Sequence, residues 1–332
     1  MNKEIKSLYR VYRPKNFGEV IGQQHITRTL QNQITSGKIA HAYLFCGTRG
    51  TGKTSVAKIF AREVSKWETQ GTQPQTELDI FEIDAASNNS VQDVREIIEK
   101  VKYPPVFAKY KVYIIDEVHM FSGAAFNAFL KTLEEPPSHV IFILCTTEPQ
   151  KLLPTVQSRC LRFDFRAVPE NEIEKHLVSI LKREKIEFDM EAVKMLSTAG
   201  HGSVRDAMSF TETVIAYCGD KKITALDVCE VIGIIDKKTL RELLNFVLVG
   251  DFKMIKTTCD FIFGKGLNAS ILVKDLLEVI RTVFIETKNA ELLKVYKIFA
   301  ELEMNIKTAV DVKGIFESAC FLSINTPSLE GV

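Results

Sequence analysis

The sequence carries almost no net charge. Its 332 residues include 43 lysines and arginines against 42 aspartates and glutamates, which gives a formal charge of +1 at pH 7. A chain this neutral has no overall basic field that could hold nucleic acid. Any contact with DNA must therefore come from a local patch or from a surface shared with other chains.

Long apolar runs are also missing. No run approaches the roughly 18 residues of a membrane-spanning helix. The first residues, MNKEIKSLYRVYRPK, are charged and contain no apolar signal region. These absences predict that the protein has no membrane partner and is cytoplasmic.

Cysteine is sparse and scattered. The seven cysteines lie at positions 46, 145, 160, 218, 229, 259 and 320, and no two form a CxxC pair. This spacing argues against a disulfide framework or a zinc cluster, so most are predicted to be small buried hydrophobes. The stretch QSRC (157–160) leaves four interpretations open: a surface arginine beside a buried thiol, a metal ligand, a reactive thiol, or an arginine directed at the phosphate of another subunit.

Apolar β-rich runs alternate with helical patterns up to about residue 150. The runs are HAYLFCG (41–47), LDIFEID (78–84), KVYIIDE (111–117) and HVIFILCTT (139–147), and LRFDF (161–165) is predicted as a fifth strand. Such alternation indicates a parallel sheet covered on both faces. After Pro169 the pattern is helical throughout. We therefore predict an α/β domain at 1–165, a small helical domain at 166–233 and a second all-α domain at 234–332.

A phosphate-binding motif follows the first apolar run. The segment Gly47–Thr54, GTRGTGKT, fits G-x-x-x-x-G-K-[ST] at every fixed position and opens a predicted helix. Glycines allow successive backbone N–H groups to face phosphate oxygens, and the helix N-terminus adds its positive end. Lys53 would hold the β- and γ-phosphates, and Thr54 would bind Mg²⁺.

Two carboxylates end the third apolar run. Asp116 would hold Mg²⁺, and Glu117 would polarise the attacking water of a nucleoside triphosphatase. Thr146 and Thr147 end the next strand and are predicted to lie beside these carboxylates. Thr147 could orient the attacking water, or the two hydroxyls could cap the following turn.

Several longer motifs occur in one order across residues 9–209. They are YRVYRPKNFGEVIGQ, HAYLFCGTRGTGKTS, EIDAASNNSVQDVREII, KVYIIDEVHM, FNAFLKTLEEPP, TTEPQKLLPTVQSRC and HGSVRDAMS. Together they resemble the gamma/tau subunits of bacterial DNA polymerase III, which are clamp-loader ATPases of the AAA+ class. The resemblance implies an α/β P-loop AAA+ domain with a parallel sheet, a small helical lid domain and an all-α collar domain. The final third resembles the collar only in pattern and length.

The resemblance also implies roles for individual residues. Lys53, Asp116, Glu117 and Thr147 would be catalytic, with Thr147 as the first sensor, and Thr54 and Asp116 would hold Mg²⁺. Arg159 matches an arginine that reaches the ATP of a neighbouring subunit in trans. Residues expected to contact the nucleotide are Tyr9, Arg10, Pro14, Val20, Ile21, Gly47, Thr48, Arg49, Gly50, Thr51, Gly52, Lys53, Thr54, Ser55 and Arg205.

The sequence departs from the family at two places. Most members insert a four-cysteine zinc module where this chain has SKWETQGTQPQTE (65–77), so we predict ATP and Mg²⁺ but no zinc. The sequence also ends at SINTPSLEGV, without the long tail of tau forms, and so resembles the short gamma form.

The implied function is that of a clamp-loader motor. The expected partners are delta- and delta-prime-like subunits, further copies of the chain, a sliding clamp and primed-template DNA, with single-strand-binding protein reached through the complex. Two alternatives are open. A branch-migration helicase of the AAA+ class shares the phosphate loop, and a non-hydrolysing scaffold subunit would bind nucleotide only.

Overall fold

The five predicted strands form one parallel sheet in the computed structural model, in the order β2-β3-β4-β1-β5. The structure describes residues 7–66, 74–233, 235, 237–264, 269–306 and 309–324, without the side chains of 74–76. Most of the loop at 65–77, on which the zinc prediction rests, lies outside these residues. The strands are β1 (Ala42–Cys46), β2 (Ile80–Asp84), β3 (Lys111–Asp116), β4 (Val140–Thr146) and β5 (Leu161–Asp164).

The parallel register brings the carboxyl ends of the strands to one edge of the sheet. Cys46 of β1 is paired with Thr146 of β4 and with Asp164 of β5, and Asp84 of β2 is paired with Asp116 of β3. Side chains that follow these strands therefore meet at the same edge, where ligands bind in open α/β sheets.

Helices cover both faces of the sheet and dominate the described chain after β5. They are α1 (Leu8–Val11), α2 (Gln24–Ser36), α3 (Lys53–Val64), α4 (Val91–Val101), α5 (Gly123–Glu134), α6 (Pro154–Gln157), α7 (Glu170–Arg183), α8 (Met190–Ala199), α9 (Val204–Cys218), α10 (Ala225–Ile232), α11 (Lys237–Val249), α12 (Phe252–Gly264), α13 (Ala269–Thr287), α14 (Glu291–Asn305) and α15 (Val312–Leu322). Among them none is long and apolar enough to cross a membrane.

Alternate strand residues point to opposite faces and build two cores. Leu44 of β1 lies in the core that α4 and α5 cover, whereas Phe45 lies in the core formed with α2 and α3. β1 and β4 are buried along their whole length because both of their faces are covered, which explains why they are apolar without alternation. The edge strand β5 buries only Phe163.

Local capping sets the ends of several helices of the α/β domain. Ser90 begins α4 with a reciprocal capping box to Asp93, and Ser122 caps α5 by accepting the N–H of Ala125. α2 ends at Gly37, which adopts the left-handed conformation.

The chain divides into two compact units. The first contains residues up to Ile180 and Gly200–Ser209, and the second contains Leu181–Ala199 and the chain from Phe210 onward. In the second unit α8 packs on α10, and helices α11–α15 share one apolar core. The predicted fold class, an α/β domain followed by helices, is confirmed. The three-part division at 165/166 and 233/234 stays a prediction.

Candidate nucleotide-binding site

The phosphate loop joins β1 to α3 and needs glycine at two positions. Gly47 and Gly50 have φ values of 149° and 76°. A Cβ on Gly47 would lie 2.5 Å from the carbonyl oxygen of Phe165, and a Cβ on Gly50 would overlap Ser203 Oγ. A side chain at either position is therefore excluded by close packing as well as by backbone conformation.

Lys53 is buried at the start of α3 and points back into the loop. Its Nζ donates to the carbonyl oxygens of Gly47 and Thr48 at 2.8 and 3.0 Å. Burial lowers its pKa, whereas Asp116 and Glu117 act in the opposite direction and favour the ammonium. The loop thus encloses a cation that no carboxylate of the described residues contacts directly, a suitable setting for a polyanion.

Thr54 and Asp116 meet directly across the carboxyl edge of the sheet. Thr54 Oγ1 donates to Asp116 Oδ2 at 2.7 Å, and the N–H of Glu117 donates to Oδ1 at 3.1 Å. A hydroxyl and a carboxylate are hard oxygen ligands that suit Mg²⁺, which typically takes one or two protein ligands and completes its shell with water and phosphate.

Glu117 has an unusual backbone conformation and a fixed carboxylate. Its φ and ψ are 47° and 44°, in the left-handed region that few non-glycine residues adopt. Thr147 Oγ1 donates to Glu117 Oε2 at 3.0 Å. Thr146, in contrast, accepts the N–H of Glu148 at 3.0 Å and so caps the turn after β4. Thr146 therefore caps the turn and Thr147 contacts the carboxylate, while a role of Thr147 in orienting the attacking water stays a prediction.

These elements open into one cavity of about 1120 Å³ within the first unit. Among the predicted site residues, its lining contains Tyr9, Arg10, Pro14, Val20, Ile21, Arg49, Gly50, Thr51, Gly52, Lys53, Thr54, Ser55, Asp116, Glu117 and Arg205. Gly47, Thr48, Thr147 and Arg159 are not part of the lining.

Other lining residues were missed from the sequence. Lys58 and Glu82 form an ion pair at the cavity, and Arg13 Nε donates to Ser55 Oγ at 3.1 Å. Arg13 belongs to the motif YRVYRP and could have been included with its neighbours. Lys58 in α3 and Glu82 in β2 gave no comparable signal, because isolated charged residues in helices and strands usually only face water.

The N-terminal segment and the start of α9 meet at the cavity. The guanidinium of Arg205 lies 4.9 Å from the ring centroid of Tyr9, and Arg10 Nε donates to the Tyr9 hydroxyl at 3.2 Å. The N–H of Val204 donates to the carbonyl of Gly50 at 3.1 Å, so α9 begins directly on the phosphate loop. Arg205 is thereby held beside the same cavity as Lys53.

Arg159 lies away from this site. It follows α6 and precedes β5, at the amino edge of the sheet, where it pairs with Glu134 and donates from Nη1 to the carbonyl of Thr155 at 2.6 Å.

Burial raises the pKa of the neighbouring Cys160 thiol to about 12, and Cys160 packs against the core. This disfavours the reactive-thiol interpretation of QSRC. Within the described residues, no cluster of three His, Cys, Asp or Glu side chains could hold a metal ion.

The fold and the site define a P-loop nucleotide-binding protein of the AAA+ type. Solved structures of the Thermotoga maritima RuvB Holliday junction branch migration motor share this fold, with a TM-score of 0.55 over 72% of this chain and 80% of that one. Their sequence identity is 20%, so the likeness concerns the fold alone.

Family models match three successive parts of the chain. They describe the delta subunit of DNA polymerase III at residues 22–169, the ATPase lid domain of a DNA polymerase III clamp loader subunit at 172–220, and domain III of DNA polymerase III subunits gamma and tau at 223–306. The chain is 37% identical to the DNA polymerase III gamma subunit of Buchnera aphidicola over 295 residues, 85% of this chain and 80% of that protein. It belongs to the gamma/tau family of DNA polymerase III clamp-loader subunits.

Longer relatives match over part of their length. Identity is 40% with the tau subunit of Bacillus subtilis over 84% of this chain, and 43% with the tau/gamma subunit of Haemophilus influenzae over 76%. The aligned regions are 52% and 38% of those proteins, so this chain spans about half of them or less.

Proposed function

We propose that the chain is an ATP-hydrolysing motor subunit of a DNA polymerase III clamp loader. ATP binding and hydrolysis would drive the opening of a sliding clamp and its placement on primed DNA. The observation that carries the proposal is the joint placement of Lys53, Thr54, Asp116 and Glu117 at the carboxyl edge of the sheet, in a chain of the gamma/tau family.

The residues present fit a nucleoside triphosphate with Mg²⁺. Lys53 would exchange its two loop carbonyls for phosphate oxygens, and backbone amides of the loop and of the first turn of α3 would donate to the same group. Thr54 and Asp116 would hold the metal ion. When bound, Mg²⁺ would neutralise charge that develops on the transferred phosphoryl group.

Glu117 would act as the general base for the attacking water. Its carboxylate stands next to Asp116, and the Thr147 hydroxyl fixes one of its oxygens at 3.0 Å. From the start of α9, beside the phosphate loop, Arg205 would contact the nucleotide of its own subunit. Tyr9, Arg10, Pro14, Val20 and Ile21 would border the adenine.

Arg159 would complete the site of a neighbouring subunit. A guanidinium is permanently charged and can fork onto phosphate oxygens. Its side chain is 31% exposed and that of its partner Glu134 is 47% exposed. This ion pair therefore contributes little to the free energy of folding, and a contact between Arg159 and a phosphate can replace it. Supplied in trans, the arginine would make hydrolysis conditional on assembly. The neighbours would be further copies of the chain and delta- or delta-prime-like subunits.

The direct test is steady-state ATP turnover by the chain assembled with its partner subunits. We expect turnover to rise when a cognate clamp and primed DNA are added together. A turnover rate that does not change when the clamp and primed DNA are added would contradict the clamp-loading proposal. DNA branch migration in the absence of a clamp would support the helicase alternative instead.

Two substitutions separate the roles within that assay. Lys53→Ala should abolish nucleotide binding by its own subunit. Arg159→Ala should leave binding intact and slow hydrolysis at the adjacent site, because arginines supplied in this way typically contribute about 10³–10⁵ in rate. Arg162→Ala is a matched control, since Arg162 is an exposed arginine nearby that pairs with Asp164. Normal turnover by the Arg159→Ala assembly would exclude the role in trans.

A further inference from the structure

A buried histidine contacts the proposed catalytic base. His119 lies in the short helical turn Val118–Met120 that follows Glu117, and its side chain is only 6% exposed. Nδ1 is 3.0 Å from Thr146 Oγ1 and 3.4 Å from Glu117 Oε2. The imidazole therefore approaches the same carboxylate oxygen that receives the Thr147 hydroxyl.

The two ring nitrogens of His119 have unequal surroundings. Nε2 lies 3.5 Å from Glu148 Oε1, at the outer limit of a hydrogen bond, and that oxygen is already paired with Lys151 Nζ at 2.9 Å. The contacts on the Nδ1 side are shorter. A neutral imidazole therefore forms better hydrogen bonds when its single N–H hydrogen is on Nδ1. There, Thr146 Oγ1 and Glu117 Oε2 can both accept it.

We propose that His119 is a positioning residue that acts through Glu117, with an Nδ1–H group directed at Oε2. His119 and Thr147 together hold Oε2, and this leaves Oε1 to accept the proton of the attacking water. The inference rests on the proposed ATP hydrolysis and adds a residue to it. A fixed orientation has value here because a general base must lie within hydrogen-bonding distance of the proton that it removes.

Substitution of His119 by asparagine or by glutamine distinguishes the roles of its two ring nitrogens. The amide nitrogen of asparagine falls near the position of Nδ1, whereas that of glutamine falls near Nε2. His119→Asn should therefore retain most of the turnover. His119→Gln should lower kcat about tenfold with little change in the KM for ATP, because only the orientation of the base is lost.

Two matched variants serve as controls. Glu148→Gln alters the Nε2 side of His119 and the exposed pair with Lys151, but leaves the Nδ1 contacts in place, and should turn over close to the wild-type rate. His139→Gln replaces a histidine far from the cavity, whose Nε2 contacts the carbonyl of Val101 at 3.2 Å, and should also be near wild type. Thermal unfolding of every variant separates loss of fold from loss of turnover.

The outcomes are distinct. Equal kcat values for His119→Asn and His119→Gln, or retained activity only in the glutamine variant, would overturn the inference while leaving ATP hydrolysis in place. Absence of turnover by the wild-type assembly would overturn the proposed function and this inference together. A measurement on the unaltered protein avoids any folding problem: ¹⁵N spectra of histidine-labelled chain should show His119 protonated at Nδ1, and a proton on Nε2 alone would refute the proposal.

Discussion

Replacement of Gly50 by alanine tests the close contact between the phosphate loop and the start of α9. Gly50 has a φ of 76°, and a Cβ there would overlap Ser203 Oγ and lie 3.0 Å from Ser203 Cβ and 3.2 Å from Arg205 Cβ. The Gly50 carbonyl also accepts the N–H of Val204 at 3.1 Å. The substitution therefore introduces backbone strain and a steric conflict at one point.

The free-energy costs of the backbone strain and of the steric conflict can be estimated separately. A non-glycine residue in the left-handed region costs roughly 1–2 kcal/mol, and overpacking typically adds about 1–3 kcal/mol. Gly50→Ala should thus lower the free energy of unfolding by about 2–5 kcal/mol. Gly37 has a similar φ of 68°, but no atom of the described residues lies within 4 Å of the position that a Cβ would take there. Gly37→Ala should therefore carry only the free-energy cost of the backbone conformation.

Urea denaturation, monitored by circular dichroism, compares the free energies of unfolding of the two variants. Nucleotide titration reports on the phosphate loop itself. We expect Gly50→Ala to be the less stable variant by about 1–3 kcal/mol and to bind nucleotide more weakly. Adding Ser203→Gly should recover part of the loss, because it removes the two nearest of the three close atoms at the expense of a weak cap on Asp206. Equal stabilities for the Gly50 and Gly37 variants, or full additivity with Ser203→Gly, would refute the packing argument.

Two further predictions concern buried titratable groups. Burial raises the pKa of Asp275 to about 6, so the stability it contributes is complete below its unfolded pKa near 4 and is lost as pH rises through about 6. The free energy of unfolding, measured by denaturation between pH 4 and pH 7.5, should fall by about 2–3 kcal/mol in the wild type and not in Asp275→Asn. A wild-type free energy of unfolding that changes with pH as little as that of the variant would contradict this. Because burial raises the pKa of Cys160 to about 12, mass spectrometry at pH 8 should find its alkylation at least roughly tenfold slower in folded than in unfolded chain. Rapid labelling of the folded protein would show that the thiol is accessible.

The arrangement of the site was partly predictable because parallel strands align their ends. Asp116 and Glu117 follow one apolar run and Thr147 follows another, so a parallel sheet was sufficient to bring them together. The motif around Lys53 similarly predicted a loop between a strand and a helix. These features depend on local patterns and on one general property of sheets.

Other contacts depend on packing between segments far apart in the chain. Ser203 approaches Gly50, and Arg205 lies over Tyr9, through loop conformations that have no periodic pattern. His119 gave no signal either, because its position beside Glu117 follows from the left-handed turn after β3. The inward direction of Lys53 is likewise a property of the folded loop. Such contacts are set by the folded chain as a whole, and no short stretch of sequence encodes them.

The opposite placement of Arg159 and the phosphate loop gives each subunit a direction. The arginine precedes β5 at the amino edge of the sheet, whereas Lys53 follows β1 at the carboxyl edge. If one subunit supplies its arginine to the next, all contacts in a row run from head to tail. A closed ring then completes as many sites as it has members, but an open row completes one fewer. The number of ATP molecules hydrolysed per assembly would therefore reveal whether the row closes on itself.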